Sequence, residues 1–379
     1  MTALALVVAG WIGGWVLFWR LPRLTAPETG SGSGRRSGHL DCSVIVPARN
    51  EERSLPTLLR SLEAQLPPPR EIIVVDDRSE DSTRSVAACF PRVTVLAGEP
   101  APPGWTGKSW ACWQGARVAC GRVLVFVDAD VSFGPGALAR VVASCEARGG
   151  LFSIVPYHRV LRAYEQLSAP FSVVAVMGTG AAGLARGQVH GAFGPCLACS
   201  RADYVALDGH RGVRSEIVED VALAARFETA GLPVDVVGGG RLLSYRMYPS
   251  GPGQLVEGWS KNMAAGARSV PWGRRLLIAA WVGASLVPLQ LLVQAAQTGS
   301  AATTVAAVAA WAGLAIQQRV MLAQLGSFRW WVPALHPLVT LFFVAVFVRS
   351  AWLTLVRRRV RWRGRDVPIS ARGERQVGY

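Results

Sequence analysis

Two carboxylates close an apolar run in the middle of the chain. The stretch "VLVFVDADVSF" (123–133) sets five apolar residues before Asp128 and Asp130, with one alanine between the acids. An uncharged run of that length fits a buried strand. Carboxylates left unpaired at the mouth of a core are costly, so something positive belongs there, and it need not be protein. Acids at i and i+2 on a strand end offer hard oxygen ligands to Mg²⁺ or Mn²⁺. These cations take one or two protein carboxylates and complete their shell with water and phosphate oxygens. The chemistry such a pair could serve is stabilisation of a departing nucleoside diphosphate by a bound metal.

The elements that must position these acids are legible in the surrounding alternation. Between Ser43 and Tyr157, short apolar runs ("SVIVP", "EIIVVDD", "VTVLAG", "VLVFVDAD", "FSIVP") alternate with amphipathic stretches such as "EERSLPTLLRSLEAQL" and "GALARVVASCEARG". This predicts an α/β unit with a mainly parallel sheet and helices on both faces. Ligands of such sheets bind beyond the carboxyl ends of the strands. Asp76 and Asp77 end one run, Asp128 and Asp130 another, and "PARNE" (47–51) ends the first. Each alone fits a turn or a helix cap; together on one predicted edge they favour a ligand site. Asp76 and Asp77 would then be free to hydrogen-bond a base or ribose.

The chain has 379 residues, a formal net charge of +15 and 51% hydrophobic residues, unevenly spread. Residues 2–19 carry no charge, and 1–20 read as a retained membrane anchor, followed by a flexible Gly/Ser-rich tether over 21–41. No basic residue precedes the run and no small-residue cleavage motif follows it closely, which argues against a signal peptide. Three further apolar blocks lie near 276–297, 301–318 and 332–356, ahead of the tail "RRRVRWRGR". Basic flanks stay cytoplasmic, which puts a soluble domain (42–272) and the tail (358–379) on one side. The region 273–357 then needs an even number of crossings: two spans fit, three do not, and one block is interfacial or re-entrant. Arginines beside apolar blocks point to anionic lipid head groups and away from nucleic acid. Seven cysteines in a cytoplasmic domain read as free thiols. "CLAC" (196–199) has metal or redox spacing without a second Cys/His pair and reads as small buried hydrophobes.

Only two lysines, Lys108 and Lys261, stand among 40 basic residues. Lys108 opens a helix-like segment after "TG", where its ammonium and the helix amides could face a phosphate together; it is assigned to donor binding.

"SVIVPARNEERSLPTLLRSL", "EIIVVDDRSEDST" and "VFVDADVSF" closely resemble the family 2 glycosyltransferases of GT-A fold, in order and spacing across 42–135. "PPGWTGKSWACWQGA", "RMYPS", "EGWSKN" and "VRWRGR" are similar to the membrane-bound enzymes of that family associated with carotenoid and hopanoid pathways. The resemblance covers nearly the whole chain, least over 160–190 and 298–330. It implies that Asp128-Ala129-Asp130 is the DxD motif, with Asp130 the direct metal ligand and Asp128 beside it. It also implies that Asp76, Asp77 and the backbone near Pro47, Ala48, Asn50 and Glu51 hold the nucleotide. Glu219 and Asp220, which alone would suit an acid-rich helix start, match the family's ED motif, with Asp220 as general base. A carboxylate acceptor would need no base, and Asp220 would then orient it.

The QxxRW motif of polysaccharide synthases is absent; "QLVEGWSKN" stands in its place, which weakens a processive reading. Trp259 would stack on a sugar or anchor an amphipathic helix at the membrane. With Lys261 and His210 it forms the expected acceptor side, although a capping or core role for His210 is equally open. Residues 160–186 are expected as a helix lying in the interface, along which an acceptor slides. The resulting expectation is an inverting, Mg²⁺- or Mn²⁺-dependent hexosyltransferase of the cell membrane with its catalytic domain cytoplasmic. It would move glucose from UDP-glucose to a lipophilic isoprenoid-derived acceptor. The alternatives are transfer to a polyprenyl phosphate or glycerolipid, or a non-catalytic nucleotide-sugar scaffold.

Overall fold

The computed structural model describes residues 2–25, 38–184, 189–357, 359–362 and 365–368; 26–37 of the expected tether and most of the basic tail lie outside the described residues. The N-terminal apolar run folds as α1 (Thr2–Leu17). At 1.5 Å per residue its 16 residues reach about 24 Å, short of a ~30 Å hydrocarbon core. The chain beyond it is pinned. Leu21 and Leu24 are buried, Gly238 N–H donates to Pro22 O (2.7 Å) and Leu24 N–H to Gly238 O (3.0 Å). The expected tether therefore begins several residues later than 21.

The first four short apolar runs quoted from Ser43–Tyr157 become strands: β1 (Leu40–Ala48), β2 (Pro69–Asp76), β3 (Val93–Ala97) and β4 (Val123–Val127), separated by α2 (Leu55–Glu63), α3 (Thr83–Ala88) and α4 (Gly107–Val118). Then follow β5 (Val131–Phe133), α5 (Ala137–Arg148), β6 (Leu151–His158), α6 (Ala169–Thr179), β7 (Cys196–Ser200), α7 (Arg201–Ala206), α8 (Glu219–Thr229) and β8 (Val234–Tyr245). The sheet runs β3-β2-β1-β4-β7-β6-β8-β5. Its first four strands are parallel. Beyond them β7 inserts antiparallel between β4 and β6, so the α/β sheet is mixed. Alternation along β1 sends Val44 and Val46 into one core with Leu58, Leu62 and Val141. Ile45 faces the other, with Ala111, Cys112 and Leu223. The "CLAC" cysteines are β7 itself, Cys196 and Cys199 are buried, and all seven cysteines are free thiols.

After β8 the chain is helical: α9 (Pro252–Ser269), α10 (Trp272–Ala284), α11 (Val287–Thr298), α12 (Ala301–Leu325), the short α13 (Trp331–Ala334) and α14 (His336–Trp352). Pro288 in the first turn of α11 marks the break from α10, since proline cannot complete the preceding helical ladder. Three segments, Trp272–Thr298, Ala301–Leu325 and His336–Leu355, are long and apolar enough to cross a membrane. They are not equivalent. The end of α12 meets the sheet domain, where Ser327 N–H donates to His158 O (2.9 Å). The chain then runs back along α12 until Trp311 Nε1 donates to Ala334 O (2.8 Å), fifteen residues or about 22 Å from Gly326. From there α14 returns: Phe343 meets Phe171, and Ser350 Oγ accepts from Ala264 N–H of α9 (3.0 Å).

The segment expected to lie in the interface is instead wedged inside. Nearly all of α6 is buried, and its 11 residues span only about 16 Å. Trp259 of α9 stacks on Phe171 of α6 with centroids 4.8 Å apart and planes at 16°. Its Nε1 donates to Ser168 Oγ (3.2 Å). The indole locks α9 to α6 and does not lie at an outer surface. Trp259→Ala should lower stability by about 3–5 kcal/mol, the usual cost of emptying a large aromatic site. Thermal unfolding of the detergent-solubilised protein measures this, and a loss below 1 kcal/mol, on the order of a surface change, would deny the wedge.

Candidate active site

The register carries Ala48 of β1 opposite Asp76 of β2 and β1 beside β4, so the loops after these strands open on one edge. There the "PARNE" and "DDRSEDS" loops are stapled together. Glu51 N–H donates to Thr83 Oγ1 (2.7 Å), Glu80 N–H to Asn50 Oδ1 (2.9 Å) and Glu52 N–H to Asp81 Oδ2 (3.1 Å). Asn50 adopts φ +53°, a left-handed conformation that asparagine tolerates better than most residues. The two neighbouring aspartates part company. Asp76 Oδ1 accepts from Ser79 N–H (3.1 Å) and holds the turn, whereas Asp77 lines the cleft. A Cβ on Gly107 would fall 2.5 Å from Asp77 Oδ2, so the carboxylate rests against the first turn of α4, where a negative charge is favoured.

At the centre stands Lys108. Thr106 caps α4 by accepting from Ser109 N–H, which sets Lys108 in the first turn. Its Nζ lies 2.8 Å from Asp128 Oδ1 and 2.9 Å from Glu219 Oε1. Burial would depress the ammonium, but these two carboxylates hold it well above the ordinary lysine range. Burial would raise Glu219, yet Lys108 and then Lys261 bring it below the usual glutamate value. Its sequence neighbour moves the other way. Asp220 is pushed up to about 7 by burial and by the charge on Glu219, against the opposing pull of Lys108. Asp220 accepts from Gly194 N–H (2.6 Å) and Val221 N–H (2.9 Å). Adjacent acids with opposite shifts are the pattern of divided labour in proton chemistry.

One cavity of about 1200 Å³ gathers this set. Pro47, Ala48, Asn50, Glu51, Asp77, Lys108, Asp128, Asp130, Glu219, Asp220, Trp259 and Lys261 all line it. Two expected residues do not: Asp76, committed to its turn, and His210. The His210 ring is buried with Nδ1 2.9 Å from Tyr204 Oη and its edge on Phe126; burial lowers its pKa to about 4. It packs as a neutral core group behind the cleft. Lys261 is lowered by burial and within electrostatic reach of Glu219, Asp128 and Asp220.

Two arginines inside the quoted motifs escaped the sequence reading. Arg49 donates to Asp77 O (3.0 Å) and lies 3.6 Å from Glu80. Arg246, of "RMYPS", lines the cavity and is fixed by the fully buried Glu165 at 2.7 Å. Glu165 also accepts from Leu161 and Arg162 N–H. No cluster of three or more metal-ligating side chains exists among the described residues. The donor set is Asp130 and Asp128 facing a cavity, which fits a hard cation that draws its other ligands from water and a diphosphate.

The model of glycosyl transferase family 2 matches residues 43–203. Over 343 residues the chain is 32% identical to the 4,4'-diaponeurosporenoate glycosyltransferase of Staphylococcus aureus (strain MRSA252), covering 88% of this chain and 89% of that one. The chain belongs to glycosyl transferase family 2. A solved mannosyltransferase from Pyrobaculum calidifontis, in complex with GDP-Man and Mn²⁺, shares the fold at a TM-score of 0.52 and 19% identity. That match covers 94% of this chain and 98% of the other. In this family 2 glycosyltransferase the two expected motifs, "DAD" and "ED", are joined by one ammonium.

Lys108→Met should therefore strand both carboxylates. A loss of about 1.5–3 kcal/mol in stability, the worth of a charged hydrogen bond, is expected together with near-complete loss of turnover. Unchanged unfolding and turnover in that variant would show that the bridge is dispensable.

Proposed function

We propose that the chain transfers glucose from UDP-glucose, with inversion, to a carotenoid-type acceptor at the cytoplasmic membrane face. The observation that carries this reading is the single cavity in which Asp130, Asp128 and Asp220 share a wall with the apolar helices α6, α9, α10 and α14. A water-soluble acceptor would not need the second half of that wall. The relatives named for diaponeurosporenoate, a carotenoid carboxylate, support the acceptor class. The acceptor oxygen bonds to the anomeric carbon while the bond from that carbon to the diphosphate breaks, and the electron pair leaves on UDP. A hydroxyl acceptor passes its proton to Asp220; a carboxylate has none to pass, and Asp220 orients it. Lys261 would hold an acidic acceptor head. Asp130, with Asp128, would hold a divalent cation, which when bound offsets charge on the leaving diphosphate. Asp77 and the loops from Pro47 to Glu51 would hold the nucleotide.

For the membrane, α10–α11 and α12 would cross and α14 would be re-entrant. This topology satisfies the parity set by the basic flanks, because α14 starts deep along α12 and ends against α9.

Three measurements test these readings. With purified protein, UDP-glucose, Mn²⁺ and a carotenoid carboxylate, a glucosyl ester should form; EDTA or Asp130→Ala should abolish it, with the variant still folded. Asp220 is ionised above about pH 7, so transfer to a hydroxyl acceptor should fall about tenfold per unit below that pH. Transfer to a carboxylate should not. Absence of product with any lipophilic acceptor would end the proposal. For topology, in a cysteine-free background, Ser300→Cys should react with an impermeant maleimide from outside the cell and Leu335→Cys should not. External labelling of Leu335→Cys would make α14 a full span.

A further inference from the structure

A glycine inside a helix is among the poorest helix formers, so its place there needs a reason in packing. Gly10 and Gly14 of α1 and Gly258 of α9 have one: a Cβ at those positions would collide with Ala284, Trp281 and Tyr248 respectively. Gly266 of α9 and Gly283 of α10 are different. Both lie in the last turn of their helices and both line the cavity. Among the described residues, no atom comes within 4 Å of the Cβ position at either glycine.

The shape of that space follows from the helix that borders it. Along α10 and the turn after it the cavity touches Arg275, Ile278, Ala279, Val282, Gly283 and Leu286, a spacing that follows one helical face. From Arg275 to Leu286 this face runs about 16 Å. It stops at the break between α10 and α11, and Phe343 and Phe347 of α14 border the cavity as well. The charged end holds Lys261, Glu219 and Asp220; from Met263 of α9 onward, small and apolar side chains dominate. At about 1200 Å³ the cavity exceeds the ~300–1,000 Å³ of a site for one small ligand, which leaves room for a chain besides the donor.

We propose that this slot takes the hydrocarbon chain of the acceptor, entering from the apolar helices, and that Gly266 and Gly283 set its bore and so decide how long and how stiff an acceptor can be. The occupant is a long, unbranched or methyl-branched apolar chain carrying one acidic or hydroxyl head, its head held at Lys261 and Asp220. The inference rests on the function proposed above and adds to it the residues that select among acceptors. A leucine at either glycine starts from a Cβ position with no described atom within 4 Å, on a residue that lines the cavity, and it favours the helix over glycine.

The test uses the full-length protein in nanodiscs with Gly266→Leu, Gly283→Leu and, off the cavity on the same helix, Gly273→Leu. Transfer is measured to a long polyene monocarboxylic acid and to a short water-soluble isoprenoid acid. In the two slot variants, kcat/KM for the long acid should fall by about tenfold or more, the scale on which a few methylenes discriminate in a pocket. The short acid should be unaffected, and Gly273→Leu should match wild type on both. Long-acid transfer within twofold of wild type in both slot variants, or equal losses on both acids, would overturn the assignment. Should wild type transfer to neither acid, the proposed function fails, and the slot is judged by quenching of tryptophan fluorescence by the polyene acid. Weakened binding in Gly283→Leu sustains it; unchanged binding removes it.

Discussion

The site depends on one ammonium shared by two carboxylates. Lys108 comes from the first turn of α4, Asp128 from the end of β4 and Glu219 from the start of α8. Bringing such groups together away from water is favourable only when each charge finds an opposite one. The arrangement meets that condition with Lys108 in direct contact and Lys261 within electrostatic reach. It also explains why Glu219 and Asp220, consecutive in sequence, differ in protonation: the acid beside the ammonium stays ionised, while the next one turns toward Gly194 and feels its neighbour's charge. The lysine expected to face the donor phosphate lines the cavity and also ties the end of β4 to the start of α8.

The second constraint is that the sheet domain and the apolar helices are one packed body. The stretch after α1 lies on β8 through Gly238, the end of α12 lies on β6 through His158, and α9 joins both through Trp259 and Ser260. A helix too short to span and too buried to float, α6, fills the joint. The carboxylates are thereby held at a fixed distance from the apolar slot, which an enzyme joining a polar sugar to a greasy chain requires.

Much of this was legible in the residues, for reasons that also explain what was not. Runs such as "SVIVP" and "EIIVVDD" are apolar on both faces, which only strands covered on both sides tolerate, so β1 to β4 and their carboxyl edge could be read directly. The strand β7 was hidden because its five residues, "CLACS", are mostly small and carry no β-branched or aromatic side chain. The strand β8 was hidden because Gly238, Gly239 and Gly240 interrupt it, close to where its pairing with β6 shifts register. Asp76 and Asp77 look alike in sequence, but successive side chains of a strand point to opposite faces; only the folded turn decides which one reaches the cleft. His210 follows a glycine in a suggestive position yet faces inward to Tyr204. Hydropathy marks α14 as long and apolar enough to span, but composition cannot report that its start lies deep along α12.

The turn joining α11 to α12 is short, Thr298 to Ser300, with Gly299 at φ +64°. From Val287 to Gln318 the sequence carries no ionisable side chain. On the proposed topology, this hairpin is the segment that biosynthesis must push through the bilayer. It can enter as a preformed pair of helices without dragging a charge through hydrocarbon, each of which would cost about 2.5–3.5 kcal/mol at mid-depth. All the arginines then remain on the side where the ribosome releases them.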